Sequence, residues 1–350
     1  MITSTELIDF TGMSAANIKA FLGEAKKQNM TEITIRFPAY SDAVDGVPDA
    51  ALVASARNII DEAYILGIGV NVDLHTWMKS SNSTYMTWDT AFDTSVATHL
   101  TKRATYLTYI QNVILALNGC DVKAWMVLNE PQAQTANSSE NQFIRDCISR
   151  AKLYTSKPVG VRFMGGYSPS TGHYAPDIDV LTDFMARNIY WDPRAPNTSK
   201  YGVNNATMEK MLSTSASLGK PLWVTEFGYP CSSPSDPTQA EAQRAYFKAW
   251  VDYANSKSFT KIFGWSSKPQ GTGETFNLFN GYTPRPAFLE LKNVPPNPCQ
   301  PYIDQIAALN ATVNNQLDTI QILDDRIAEL ESEVSSLKGK MDTARATLTY

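Results

Sequence analysis

Apolar runs alternate with amphipathic stretches from the start of the chain to about residue 293. The runs predict strands at Glu6–Phe10, Thr31–Phe37, Gly69–His75, Val122–Glu130, Pro158–Met164, Ala186–Trp191, Pro221–Phe227 and Lys261–Ser266. Apolar residues at helical spacing predict helices over about 14–28, 49–66, 95–117, 139–154, 205–218 and 238–256, and a short one over 285–291. Ser14 is placed to cap the first of these. Runs such as IGVNVDL and AWMVL show no clean polar alternation, as expected of strands buried on both faces of a parallel sheet. Eight strand–helix units without a pause predict an α/β fold closed into a (β/α)8 TIM barrel. An open doubly wound sheet would normally carry a glycine-rich loop after its first strand, and TGMSAAN is not one.

The pattern changes after residue 293. Residues 294–301 hold four prolines, which no helix continues through, and read as a linker. From 302 to 350 apolar residues fall seven apart at Ile306, Val313, Ile320, Ile327, Val334 and Met341. Leu309, Leu323, Leu330 and Leu337 follow three positions behind, with Gln316 in the odd slot. This heptad pattern predicts a C-terminal coiled-coil helix. Its β-branched residues at a and leucines at d favour a parallel homo-oligomer. The seam is narrower than the stripe a helix uses to lie on a globule. Three segments result: a barrel over 1–293, a linker over 294–301 and an oligomerisation helix over 302–350.

Composition narrows the function. Hydrophobic residues make up 43% of the 350 and charged ones 19%, enough for a large core. The net charge of −5 and the absence of a basic stripe make nucleic acid and anionic membrane surfaces poor partners. No apolar run is long enough to span a bilayer, so membrane insertion is not expected. The chain starts MITSTELIDF, which has no signal-peptide pattern. That leaves a cytoplasmic protein, or an extracellular one whose leader is not in this sequence. Cys120, Cys147, Cys231 and Cys299 lack metal-ligand spacing and read as free thiols, one bridge being the alternative. No metal or other cofactor is expected.

In a closed parallel barrel the chemistry gathers at the carboxyl ends of the strands. There the runs end in Arg36, in Asp73 and His75, in Asn129 and Glu130, in Asn188, Tyr190 and Trp191, in Glu226, and in Trp265. Glu130 and Glu226 end the fourth and seventh strands. Two carboxylates across a cleft are what glycoside hydrolysis needs, one protonated to assist the leaving oxygen and one ionised to attack the anomeric carbon. Arg36 is placed to hold Glu226 ionised. Tyr190 can bond the same carboxylate, Asn129 can bond a sugar hydroxyl, and Trp265 offers a flat apolar face to a pyranose. His75 is a candidate site residue, and Asp73 a candidate tie within the barrel. Trp77, Trp88 and Trp191 are near the rim and could stack sugars in outer subsites, with packing in the core or under a lid as the alternative for each.

Two of these motifs, LNEP at Leu128–Pro131 and TEFG at Thr225–Gly228, resemble the acid/base and nucleophile motifs of the retaining (β/α)8 glycoside hydrolases of clan A. IRFP at Ile35–Pro38 and DLH at Asp73–His75 resemble the second- and third-strand motifs of the cellulase-type family 5 within that clan, and Trp265 matches its sugar platform. The resemblance spans about residues 5–293 and implies Glu130 as acid/base and Glu226 as nucleophile. One departure stands out. Family 5 carries His-x-Tyr at the end of the sixth strand, where this chain has Asn188-Ile189-Tyr190.

Aromatic-bearing loops after the third and eighth strands (76–94 and 267–283, the latter with Phe276, Phe279 and Tyr282) suit an extended glycan in an open cleft. The expected activity is endo-hydrolysis of a β-1,4-linked polysaccharide such as cellulose or β-glucan. A β-mannanase and an exo-β-glycosidase are the alternatives within the clan. The alternative of another class is a non-catalytic carbohydrate-binding or surface-display protein, which the presence of both carboxylates disfavours.

Overall fold

The computed structural model describes residues 1–8, 10–40, 46–79, 85–86, 97–131, 139–165, 176–199, 203–233, 235–257, 259–267, 276–292, 327, 330–341 and 343–344. Eight parallel strands close into a barrel: β1 (Ile2–Leu7), β2 (Glu32–Tyr40), β3 (Gly69–Lys79), β5 (Val122–Asn129), β6 (Val159–Met164), β7 (Met185–Asn188), β8 (Leu222–Phe227) and β9 (Lys261–Ser267). The barrel closes through the β1–β9 pairing, and a two-residue strand, β4 (Tyr85–Met86), adds to β3 antiparallel.

Helices follow the strands and cover the outside. Their starts are set by local chemistry. Ser14 caps the helix Ala15–Lys27 by accepting from Asn17 N at 3.2 Å, and Asp49 caps Ala50–Ile65 by accepting from Leu52 N at 2.9 Å. Asn204 caps Asn205–Leu218, which ends on Gly219 at φ 62°. Outward strand residues such as Ile33, Ile35, Val70, Val72, Val127 and Val161 pack against the helices in one continuous core. A smaller cluster of Ala124, Met126, Phe184, Ala186, Trp223 and Phe263 fills the inside of the barrel.

The first strand corrects the sequence reading. It runs over Ile2–Leu7, not Glu6–Phe10, although Thr3, Ser4, Thr5 and Glu6 are polar. All four are buried, and Thr5 Oγ1 bonds Ser267 Oγ at 2.6 Å. A rule that seeks apolar runs overlooks a strand whose buried groups find polar partners. The sixth strand also ends earlier than expected, at Asn188 rather than Trp191.

Residues 1–293 form one compact unit and residues 294–350 a second. Within the second, residues 330–341 are helical, and Leu330, Val334, Leu337 and Met341 are exposed. The linker and the first heptads lie outside the described residues. Among the described residues no helix is long and apolar enough to cross a membrane.

Candidate active site

Side chains along a strand alternate in direction, so a barrel interior is filled in layers. At the amino-terminal end Lys261 donates to Glu32 at 2.5 Å and lies over the Trp223 ring. At the carboxyl end the strand register aligns a ring of polar residues. Arg36 pairs with Asp73, Asn129 with Arg162, and Asn188 with Glu226.

Glu226, on β8, is almost fully buried. Its Oε1 accepts from Arg36 Nη2 and from Arg162 Nη2, both at 2.6 Å, and its Oε2 accepts from Tyr190 Oη at 2.5 Å. Burial first, then the Glu226 charge, push the Tyr190 phenol well above its usual range, so it stays a donor. Arg36 also reaches Glu6 Oε1 at 2.6 Å and Asp73 Oδ2 at 3.0 Å, and its guanidinium stacks over the half-buried Trp265 ring at 4.2 Å.

Two members of this cluster were missed in the sequence, Arg162 on β6 and Glu6 on β1. Arg162 has no exposed surface. It donates to Glu6 Oε1 at 2.8 Å, Glu6 Oε2 at 2.9 Å, Asp73 Oδ2 at 2.7 Å and the Thr225 carbonyl at 2.8 Å, besides Glu226. A charged residue inside VGVRFM was the available signal, because a buried strand admits an arginine only beside carboxylates. Burial alone would raise the Glu6 carboxyl, but Arg162 and Arg36 override it and hold it below its usual range. For Asp73 burial wins, and the carboxyl is pushed up to about 7.

Glu130 stands just past the end of β5 with a backbone φ of 51°. Its amide donates to the Arg162 carbonyl at 2.7 Å, and its carboxylate accepts from Asn188 Nδ2 at 2.9 Å. The same Asn188 amide group reaches Asn129 Oδ1 at 3.1 Å, while Asn188 Oδ1 accepts from Thr225 Oγ1 at 2.9 Å. Asn188 thus ties β5 to β8 where family 5 has its histidine. Burial, then the nearby Glu226 charge, push the Glu130 carboxyl up, and the Asn188 bond offsets part of that. The two glutamates therefore occupy different settings: Glu226 beside two guanidiniums, Glu130 partly buried beside a negative charge.

The structure brings Arg36, Asn129, Glu130, Tyr190, Glu226 and Trp265 into this neighbourhood. His75 lies on β3, paired with Pro38, and its side chain is outside the described residues, as are that of Trp77 and the whole of Trp88. Trp191 is not at the rim. It is fully buried, and its carbonyl accepts from Tyr246 Oη at 3.0 Å and Trp250 Nε1 at 2.9 Å. Phe279 is likewise core, packed on Phe288 and Phe21, whereas Phe276 lies edge-on to Tyr190 at 5.9 Å. Cys120, Cys147 and Cys231 are free, and Cys299 lies outside the described residues.

Comparisons with known proteins agree with this fold. No curated relative matches the sequence itself. Among solved structures, the fold is similar to a family 5, subfamily 18 protein from Streptomyces cattleya in complex with Manβ1-4GlcNAc, with TM-score 0.61, 13% identity, and 83% of this chain and 79% of that chain covered. It is also similar to the endo-1,4-β-mannanase from Rhizomucor miehei, with TM-score 0.58, 15% identity and coverage of 83% and 93%. A family 5 xyloglucanase from Paenibacillus pabuli gives TM-score 0.58, 14% identity and coverage of 79% and 89%. A family model described as the glycosyl hydrolase catalytic core matches residues 74–287, which include both glutamates and most of the barrel. The chain belongs to that glycosyl hydrolase catalytic-core family, and it is a (β/α)8 glycoside hydrolase.

Proposed function

We propose that the protein is a retaining β-glycoside hydrolase in which Glu130 is the acid/base and Glu226 the nucleophile. The observation that carries this reading is the split between the two carboxyl groups. Glu226 accepts three hydrogen bonds, two of them from guanidiniums, while burial and the Glu226 charge favour the protonated form of Glu130. A carboxyl pushed toward its protonated form, opposite one that accepts from cationic donors, suits an acid and its partner. In the first stage the Glu226 carboxylate attacks the anomeric carbon and forms an ester bond. The glycosidic C–O bond breaks, and its oxygen takes the Glu130 proton. In the second stage Glu130 takes a proton from water, the water oxygen attacks the anomeric carbon, and the ester breaks to restore Glu226. Arg36, Asn129, Tyr190, Trp265 and His75 are proposed to position nucleophile and sugar.

The proposed substrate is a β-1,4-linked polysaccharide of cellulose or β-glucan type, cut internally. A β-1,4-mannan is the second reading, because the neighbours in fold include mannanases from Rhizomucor miehei and Thermotoga petrophila. Residues 302–350 are proposed to join copies of the chain as a parallel coiled coil. The exposed apolar residues at a and d positions of the described helix support this.

Glu226→Ala is expected to reduce hydrolysis of an aryl β-glycoside to background, and proton NMR of the first-formed product is expected to show the starting anomer. Undiminished turnover in the variant, or an inverted anomer, would refute the mechanism. A panel of cellulose, β-glucan, mannan and xylan identifies the substrate.

A further inference from the structure

Among the described residues, the cluster at the carboxyl end of the barrel is unbalanced in charge. Two guanidiniums, Arg36 from β2 and Arg162 from β6, face three carboxyl groups, Glu6 from β1, Asp73 from β3 and Glu226 from β8. Arginine stays protonated in proteins. With all three carboxyls ionised, one negative charge would lie uncompensated in a nearly dry interior. A buried charge of that kind neutralises by taking up a proton.

The hydrogen bonds say which group takes it. Both oxygens of Glu6 accept from guanidinium N–H groups, and both oxygens of Glu226 accept from Arg36, Arg162 or Tyr190. Asp73 engages only Oδ2, which meets Arg162 Nη1 at 2.7 Å and Arg36 Nε at 3.0 Å. Its Oδ1 is buried and, among the described residues, has no hydrogen-bond partner. Among the described residues, the other titratable groups facing it are Glu6, Glu226 and the phenol of Tyr106 from the helix Ala97–Ala116. None of these adds a positive charge.

We propose that Asp73 holds a proton in the resting enzyme and that the charge on Glu226 controls that proton. Asp73 is then a neutral positioning residue. Its Oδ2 fixes both guanidiniums, while their charge goes to Glu6 and Glu226. When Glu226 loses its charge, as in an ester with the sugar, the two guanidiniums face Glu6 alone. Asp73 then ionises, its proton leaves to solvent, and the cluster is neutral again. This deepens the proposed function, because it rests on Glu226 being the ionised nucleophile. The upward shift of Asp73 agrees with the geometry.

Infrared spectroscopy of the whole protein in mildly acidic D2O tests the idea, because a protonated carboxyl C=O band stands apart from carboxylate bands. Glu130→Gln removes the band of the acid/base and serves as the background. In that background one buried carboxylic-acid band is expected. Adding Asp73→Asn is expected to abolish it. Adding Glu226→Gln, which removes one negative charge and leaves Asp73 intact, is also expected to abolish it. Adding Glu6→Gln changes the charge count in the same way and is expected to act likewise, which keeps the test decisive if another variant fails to fold. Absence of the band in Glu130→Gln, or its survival in the Asp73, Glu226 or Glu6 double variants, overturns the proposal. The measurement uses no substrate. Failure of the hydrolase reading, seen as turnover in Glu226→Ala, is therefore a separate result.

Discussion

Asn188 and Glu130 show how much rests on single side chains. Glu130 adopts a left-handed backbone, φ 51°, which is uncommon away from glycine and is typical of residues that surroundings hold for function. The Arg162 carbonyl fixes its amide, and Asn188 Nδ2 fixes its carboxylate. That side-chain bond lowers the Glu130 pKa against the rise caused by burial and by Glu226. Asn188→Ala therefore lets Glu130 keep its proton to higher pH. The alkaline limb of the kcat/KM profile is expected to move up in pH. The maximum is expected to fall by roughly ten- to a hundredfold, the worth of one hydrogen bond to a charged group. A limb that stays in place or moves down would contradict this arrangement. The asparagine was visible in the sequence as a departure from family 5. Its bonds to Asn129, Thr225 and Glu130 were not, because its partners come from strands distant in sequence.

At the scale of elements, the helix Ala97–Ala116 helps to set the spacing of two site-bearing strands. Tyr106 Oη lies 3.1 Å from the Leu74 carbonyl on β3 and 2.8 Å from the Val127 carbonyl on β5, and both bonds are fully buried. These carbonyls precede His75 and lie two residues before Asn129. Tyr106→Phe removes the buried hydroxyl donor shared by these two carbonyls. Urea denaturation is expected to show a loss of about 1–3 kcal/mol, and an unchanged midpoint would argue that the strands hold their spacing alone. Most elements were legible in advance. Ser14 and Asp49 open helices because an oxygen side chain there meets an orphan amide two or three residues on, a local event that local sequence encodes. The first strand was not legible. Thr3 bonds the Leu291 carbonyl and Glu6 meets Arg36 and Arg162, and such partners make a polar run fit for burial only after the chain has folded.

For the molecule as a whole, the buried charges fix how stability varies with pH. The folded state lowers the Glu6 pKa, so Glu6 contributes stability at higher pH that is lost as pH falls through its depressed value. Asp73 behaves in the opposite way. Its pKa rises from 3.8 to about 7 on folding, so its contribution is full below 3.8 and is lost as pH rises through about 7. Glu130, also raised, adds to the same loss. Urea denaturation across this range is expected to show stability falling toward neutral pH. The fall is expected to be shallower in Asp73→Asn, and an equal fall in both proteins would contradict the assignment. At the same scale, light scattering is expected to find an oligomer for the full chain and a monomer for a chain cut at Pro301. A monomer in both would refute the coiled-coil reading.

By itself the sequence determined the periodicities and their direct consequences: eight strand–helix units, the positions where apolar runs give way to polar residues, and hence the rim that carries Glu130 and Glu226. These are local properties, written in spacings of two and of three to four residues. Only the tertiary structure decided which charges meet. Arg162 lies 156 residues from Glu6 and 89 from Asp73, and closure of the barrel brings all three into one ring with Glu226. Whether a buried carboxyl is ionised depends on that ring, through the number of guanidiniums it faces and the water it has lost. No spacing along the chain records either.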